Sequence, residues 1–403
     1  MGGRLGGVPD LTRYELWDVA VVGAGPAGAA AALQVLGLRP GARVLLLDRA
    51  NFPRDKACGD GIAPHALRAL AALGVPDPVA GFAPVHRLRL RSPGGATVVR
   101  TMRGPAYVVP RQVFDARLVA AACARGAVLH RHTARRVEQF ADRVEIDGAY
   151  AARAVVGADG AQSAVRRSLG VDPNPVGHVA VALRAYAPAP VGAPEQLITL
   201  SGVDWPAYAW SFPIGDGRAN VGYGEVLRGS PVSRARLLRR LTELLGIPVD
   251  ALQSCRAHHL PLSSWRPRHR DGRVLLAGDA ASLINPFTGE GIYYAVRSGA
   301  LAGAAALDGA GAGLAYRQAL RRHLGRHLRH TTVAAALAGR PAMADAGVRA
   351  AAADQRVFDE LVELGLGQGL LTPRTVSRTV GRAATRTAVV ASQAALHRVL
   401  AHA

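Results

Sequence analysis

Two rhythms divide this chain. Residues 19–22 and 42–48 are short, nearly unbroken apolar runs of the kind buried in a parallel sheet, and residues 27–36 between them carry a helical pattern. Residues 155–170 and 273–299 repeat this theme as strand, turn and helix start. A different texture fills the middle: residues 87–101 and 176–225 contain strand-like pieces that predict an inserted mixed sheet, and residues 233–245 predict an amphipathic helix lying on it. From about residue 305 the pattern is helical. Tyr316, Leu320, Leu324 and Leu328 recur every fourth residue beside Arg317, Arg321, Arg322, Arg326 and Arg329. The expected fold class is α/β: a parallel-sheet domain, an inserted mixed β-sheet domain and a C-terminal helical region.

The first strand–helix junction carries chemistry. Gly23, Gly25 and Gly28 stand in GxGxxG spacing, for which the first glycine permits a tight turn, the second lets a pyrophosphate approach and the third lets helix pack on strand. Free N–H groups at the helix start then hold the phosphate. The second strand ends on Asp48, twenty residues beyond Gly28, where an acid binds a ribose hydroxyl. An adenine dinucleotide is expected; this turn alone leaves FAD and NAD open. The later junctions add Asp159-Gly160 and Gly278-Asp279, followed by a glycine-rich helix start at Gly289 and Gly291. Asp279 at a strand's C-terminal end is placed where ligands lie in open parallel sheets.

Composition narrows the classes. The net charge is +20, with 49 basic residues, of which Lys56 is the single lysine. A positive field favours anionic substrates, acidic partners or anionic membrane surfaces. Aromatic residues are only 5% and are not interleaved with basic runs, so nucleic-acid binding is not expected. Cys58, Cys123 and Cys255 are too few and too scattered for a disulfide framework, which fits a reducing cytoplasm. Residues 1–14 are short and glycine-rich rather than a signal, and no run of about 20 apolar residues offers a membrane span. The expected location is cytoplasmic, with peripheral membrane association open.

Taken together, GxGxxG, the central DG and the later GD resemble the FAD-binding fold of the para-hydroxybenzoate-hydroxylase type. The resemblance implies FAD, with Gly23, Gly25, Gly28 and Asp48 at its ADP half, Asp279 at the ribityl chain, and Gly289 and Gly291 near the isoalloxazine. It also implies cofactor contacts from Arg111, Asp159 and Gly278. Two further stretches, DKACGDGIAP (55–64) and PAYAWSFPIGDGRANVGYG (206–224), are similar to the geranylgeranyl reductase family. That likeness divides the chain into an FAD-binding domain of residues 1–85, 110–172 and 270–305, a substrate domain of 86–109 and 173–269, and a helical region of 306–403. Tyr208, Trp210 and Phe212 alternate, so they share one strand face and suit an apolar, isoprenoid-like substrate. Flavin-dependent halogenases share the fold, but Tyr208, Phe212 and the lack of any lysine after Lys56 argue against halogenation.

Cys58 has neither a CxxC partner nor a zinc-ligand neighbourhood, so it is read as shaping the pocket above the flavin, between the permissive Gly59 and Gly61. Lys56 and Asp60 are candidates for binding an anionic head group or moving a proton. The implied reaction is reduction of carbon–carbon double bonds by hydride from reduced FAD, with Cys58, Asp60, Tyr208 and Trp210 at the reacting centre and the proton donor unassigned. NADPH, NADH or a reduced ferredoxin is the implied electron source, and the arginine-rich helical face is a candidate dock for an acidic redox or carrier protein. The alternatives are an FAD monooxygenase of an aromatic or polyketide substrate, and a non-redox FAD scaffold.

Overall fold

The computed structural model describes residues 15–229, 231–264 and 271–382. The glycine-rich lead at 1–14 and the end of the C-terminal region, 383–403, lie outside the described residues.

The apolar runs build a parallel sheet in the order Val128–Arg131, Val44–Asp48, Leu16–Val22, Tyr150–Gly157. On the far side of Tyr150–Gly157, the strand Val274–Leu276 pairs in parallel with its last residues, while Val144–Ile146 pairs antiparallel with its first. Leu16–Val22 and Val44–Asp48 carry apolar side chains on both faces because both faces are covered. One face is packed by the helices Pro26–Leu38 and Ile292–Ala306. These two approach backbone to backbone, since a Cβ on Gly299 would stand 2.1 Å from the Ala27 carbonyl oxygen.

The inserted sheet has eight strands, ordered Gln253–Pro261, Val179–Pro188, Arg218–Val226, Ala207–Pro213, Glu195–Leu200, Val85–Arg91, Thr97–Val108 and Gly61–Ile62. It is mixed, as expected: Glu195–Leu200 runs parallel to Val85–Arg91 and the other pairs are antiparallel. Helix Arg234–Leu245, capped by the Ser233 hydroxyl on the Arg236 N–H, buries Leu237 and Leu241 against Ala207, Ala209, Val221 and Tyr223 on one face. The other face of this sheet looks inward, toward the parallel sheet.

The C-terminal helices are Ala312–Leu320, Arg326–Ala338, Pro341–Ala353, Gln355–Leu366 and Pro373–Arg382. Tyr316, Leu320, Leu324 and Leu328 are all buried. A strict four-residue repeat would drift around a regular helix, and a π-helical turn at Arg321–Gly325 takes up that drift. Arg321, Arg322 and Arg326 face solvent. Val348, Ala351 and Phe358 pack on Leu88, Val98 and Met102 of the mixed sheet, so these helices close the space between the two sheets. No helix among the described residues is long and apolar enough to cross a membrane.

Candidate active site

The glycine turn is built for close approach. Gly23 has φ +96°, and a Cβ there would lie 2.4 Å from the Ala158 carbonyl oxygen; one on Gly28 would lie 1.8 Å from the Gly23 oxygen. Gly25 caps the helix without a side chain, and the first turn holds no acid to compete for its N–H groups. Asp48 closes the turn, its Oδ2 accepting from the Ala24 N–H and its Oδ1 from the Ala50 N–H, both at 2.9 Å. This cradle, open to a cavity at Gly25, fits a pyrophosphate with a ribose beside Asp48.

Two arginines flank the cradle and share one buried carboxylate. Arg111 forks onto Asp115 at 2.6 and 2.7 Å, and Arg54 reaches the same group at 3.2 Å, while lying 3.9 Å from Asp48. Burial works against charge on Arg111, but Asp115 outweighs it and keeps the guanidinium firmly protonated.

The loop at residues 55–62 is tied down at almost every residue. Asp55 takes a guanidinium nitrogen of the buried Arg184 at 2.6 and 2.7 Å, and Lys56 Nζ donates to Asp279 Oδ2 at 3.1 Å. Asn220 Nδ2 donates to the Cys58 carbonyl at 2.9 Å and to Asp60 Oδ2 at 2.7 Å, while its Oδ1 accepts from Trp210 Nε1 at 2.8 Å. Tyr186 donates to the same Asp60 oxygen at 2.8 Å. Asp60 is fully buried with φ +58°, and burial pushes its carboxyl up to about 6 against those two donors. Burial raises the Cys58 thiol as well, although Arg111 opposes it, so the sulfur is a neutral thiol rather than a nucleophilic thiolate.

Cys58, Gly59 and Gly61 lie against the aromatic strand. A Cβ on Gly59 would be 3.4 Å from Trp210 Nε1, and one on Gly61 would be 3.6 Å from the Phe212 ring. Tyr208, Trp210 and Phe212 face the interior while Ala207 and Ala209 pack on the helix behind, as strand alternation requires. Trp210 pairs across the strands with Gly222, whose missing side chain makes room for the indole.

Below them is the helix start. Tyr208 OH donates to the Thr288 carbonyl at 2.5 Å, and its hydroxyl stands 3.0 Å from where a Cβ on Gly289 would be. Glu290 Oε1 accepts from the Tyr293 N–H at 2.9 Å, and burial pushes its carboxyl up to about 7 against the Ile292 and Tyr293 N–H groups. Burial works against charge on Asp279, but Lys56, His258 and Arg111 together hold it below the usual carboxylate range. His258, 4.0 Å from Asp279, is lowered to about 4 by burial and by Lys56.

One cavity of about 1330 Å³ joins these parts. It is lined by Gly23, Gly25, Asp48, Cys58, Arg111, Asp159, Tyr208, Trp210, Asp279, Gly289 and Gly291, so most of the residues singled out in the sequence converge. Gly28, Asp60 and Gly278 stand behind its wall. Gly28 and Gly278 serve packing, the latter with φ +59° against Ala27 and Ala295. Asp159 borders the cavity, but its carboxylate caps the Ala164–Ser168 helix through the Ala164 N–H at 2.6 Å and the Val165 N–H at 3.2 Å.

Sequence reasoning missed Arg54, Asp115, Tyr186, Asn220 and Glu290. It also found no chemistry after residue 313, whereas Met343, Val348, Phe358, Leu361, Leu371 and Val376 form the far, apolar half of the cavity. Asn220 and Glu290 had a readable signal, an amide followed by an apolar and glycine run within a strand and a carboxylate between two glycines.

The FAD binding domain model matches residues 17–307 of this chain. Menaquinone reductase of Mycolicibacterium smegmatis is 34% identical over 318 residues, covering 71% of this chain and 75% of that one. Digeranylgeranylglycerophospholipid reductase 1 of Methanopyrus kandleri is 34% identical over 311 residues, covering 72% and 80%. The crystal structure of a geranylgeranyl bacteriochlorophyll reductase-like protein from Thermoplasma acidophilum superposes with a TM-score of 0.73 at 22% identity, covering 96% of this chain and 100% of that one. With a nucleotide cradle, a loop at residues 55–62 and an aromatic strand that meet in one cavity, and with these relatives, the chain belongs to the geranylgeranyl reductase family of FAD-dependent oxidoreductases.

Proposed function

We propose that this enzyme reduces carbon–carbon double bonds in the isoprenoid chain of a lipid. The observation that carries this is the shape of the cavity, continuous from the glycine turn past Cys58, Tyr208 and Trp210 into a half walled by residues 334–380 without a charged side chain. A menaquinone and a digeranylgeranyl lipid, the substrates named for two relatives, have an isoprenoid chain in common. An uncharged tunnel takes up such a chain by apolar burial.

Reduced FAD supplies the hydride when bound. Gly23, Gly25, Asp48 and Arg54 hold its ADP half, and Lys56 keeps Asp279 ionised at the ribityl chain. Trp210, Tyr208 and Phe212 would hold the alkene, and the Cys58–Gly61 loop would cover it. The aliphatic wall would hold the chain in place and keep water from the reacting carbons. Residues 86–109 and 173–269 act with the C-terminal helices as the substrate domain. Electrons come from a pyridine nucleotide or a reduced ferredoxin, the latter suited to the exposed Arg321, Arg322 and Arg326.

The test is a product mass spectrum. Dithionite-reduced enzyme is mixed without oxygen with prenylquinones, prenyl diphosphates and unsaturated isoprenoid phospholipids. Products two mass units heavier per bond support the proposal. Products sixteen units heavier, formed only in air, overturn it in favour of a monooxygenase.

A further inference from the structure

We infer that Glu290 is the proton donor of this reduction. The inference rests on the proposed alkene reduction, which needs an acid for the second carbon.

The carboxyl groups that border the cavity are Asp48, Asp55, Asp159, Glu225, Asp279 and Glu290. Five are committed. Asp48 and Asp159 hold backbone N–H groups at turns; Asp55 is paired with Arg184, Glu225 with Arg236 at 3.0 Å and Asp279 with Lys56. Each of these is already engaged by a cation or by the donors of a turn. Of these six, Glu290 and Asp159 make no ion pair among the described residues; Asp159 is taken up by the Ser163 hydroxyl and the start of the Ala164–Ser168 helix, whereas Glu290 accepts from N–H groups at the start of the Ile292–Ala306 helix, beside Tyr208. The other sequence candidates do not serve. Asp60 lies behind the wall, and the Tyr208 hydroxyl gives its proton to the Thr288 carbonyl while burial and Glu290 raise its pKa far above neutral.

Glu290 is also placed where the flavin and the substrate meet. It sits between Gly289 and Gly291, opposite the Tyr208–Trp210 wall. The charges that act on it are Arg111 across the cavity and His65 from the helix Pro64–Ala72, and both favour its ionised form; Tyr208 and Tyr294 are the neighbours it acts on. Burial outweighs them and pushes the carboxyl up to about 7, so that near neutral pH it both holds a proton and is able to give it up.

In the step, bound reduced FAD would supply the hydride and be oxidised; as the alkene π bond breaks, that hydride would form one C–H bond, while the Glu290 O–H bond breaks and its proton forms the other. The carboxylate left behind is held by the Tyr293 N–H and the positive end of the helix. On the protein side, the His65 ring meets the Tyr293 ring at 5.8 Å and its Nε2 lies 2.9 Å from Glu363.

The test is anaerobic single turnover of dithionite-reduced enzyme with a prenylquinone, followed by the return of oxidised-flavin absorbance and by product mass. Wild type is expected to slow about tenfold per pH unit above about 7. Glu290→Gln keeps the Tyr293 contact and is expected to bind and reduce FAD normally, yet turn over at least about 100-fold more slowly without that pH limb. Glu290→Asp is expected to retain the limb at a shifted pH. Infrared titration of the cofactor-free protein is expected to show a buried carboxylic acid ionising near neutrality that is missing from Glu290→Gln. If wild type reduces the quinone and Glu290→Gln matches it within threefold, the assignment is overturned and the proposed function stands. If wild type reduces none of the isoprenoids, both fall. Should Glu290→Gln fail to take up FAD, Glu290→Asp and the wild-type infrared titration decide: no shifted limb, or no carboxylic acid ionising near neutrality, overturns the assignment.

Discussion

Lys56 and Asp279 are 223 residues apart in the chain and are joined by one hydrogen bond of 3.1 Å. The single lysine of an arginine-rich protein thus fastens the loop at residues 55–62 to the end of the Val274–Leu276 strand. A compact ammonium on a flexible stem fits a partly buried point contact where a planar guanidinium would need a fork of acceptors.

Lys56→Met should therefore weaken the site more than a surface substitution does. The lysine is one-quarter exposed, so the expected loss of unfolding free energy is about 1–2 kcal/mol at pH 7. Asp279 is depressed in the folded protein, so the stabilisation is complete above its ordinary titration range near pH 4 and disappears as pH falls through the lower folded value. The difference between wild type and Lys56→Met in denaturant melts should close in acid. FAD affinity, read from flavin fluorescence, should fall about tenfold.

Asn220→Ala removes three contacts at once, to Trp210, Cys58 and Asp60. Each leaves a buried polar group unsatisfied or freed, and the expected cost is about 2–4 kcal/mol. Limited proteolysis should then cut within residues 55–62 faster than in wild type. Unchanged melts and unchanged cleavage would show that the loop is held by its other ties.

Asp60 makes the opposite pH prediction. Its carboxyl titrates near 6 in the fold and near 4 when unfolded, so between those values the folded state holds the extra proton. Stability consequently falls as pH rises across that window, by about 1.4 kcal/mol per unit. Asp60→Asn removes the slope, keeps an acceptor for Tyr186 and Asn220, and suits the positive φ. It should raise the melting temperature at pH 7–8 and leave it nearly unchanged at pH 4.

Gly347 lines the apolar half, and a Cβ there would meet only Thr379, at 4.0 Å. Gly347→Leu in the middle of Pro341–Ala353 improves helix propensity and fills the tunnel. KM for long isoprenoids should rise several-fold, with shorter chains less affected and the flavin spectrum unaltered. Equal effects on all chain lengths would place the substrate elsewhere.

Much of the cofactor half was legible because its chemistry is local. A glycine turn, the acid ending the next strand and a glycine-led helix start each show within a dozen residues, and the fold brings them together. Asp115, Tyr186 and Asn220 act through partners that are 61 or more residues away, except Asp115 on Arg111 and Asn220 on Trp210. The far half was illegible for another reason. Its lining is alanine, valine, leucine and methionine on helices, and the same residues at the same spacing would build an ordinary core. Only the packing of those helices against the mixed sheet tells wall from filling.

Asn285 joins the two halves, its Nδ2 lying 3.1 Å from both the Leu364 and Gly365 carbonyl oxygens, with Thr288 Oγ1 on Gly365 at 2.6 Å. The segment that carries Gly289 and Gly291 is thereby riveted to the helices that wall the apolar half. On the proposed function those helices gauge the isoprenoid chain, and they lie past residue 307, where the cofactor module ends. Exchanging residues 341–380 for those of a relative, with the rivet kept, is a way to reset molecular length preference while the redox machinery stays untouched.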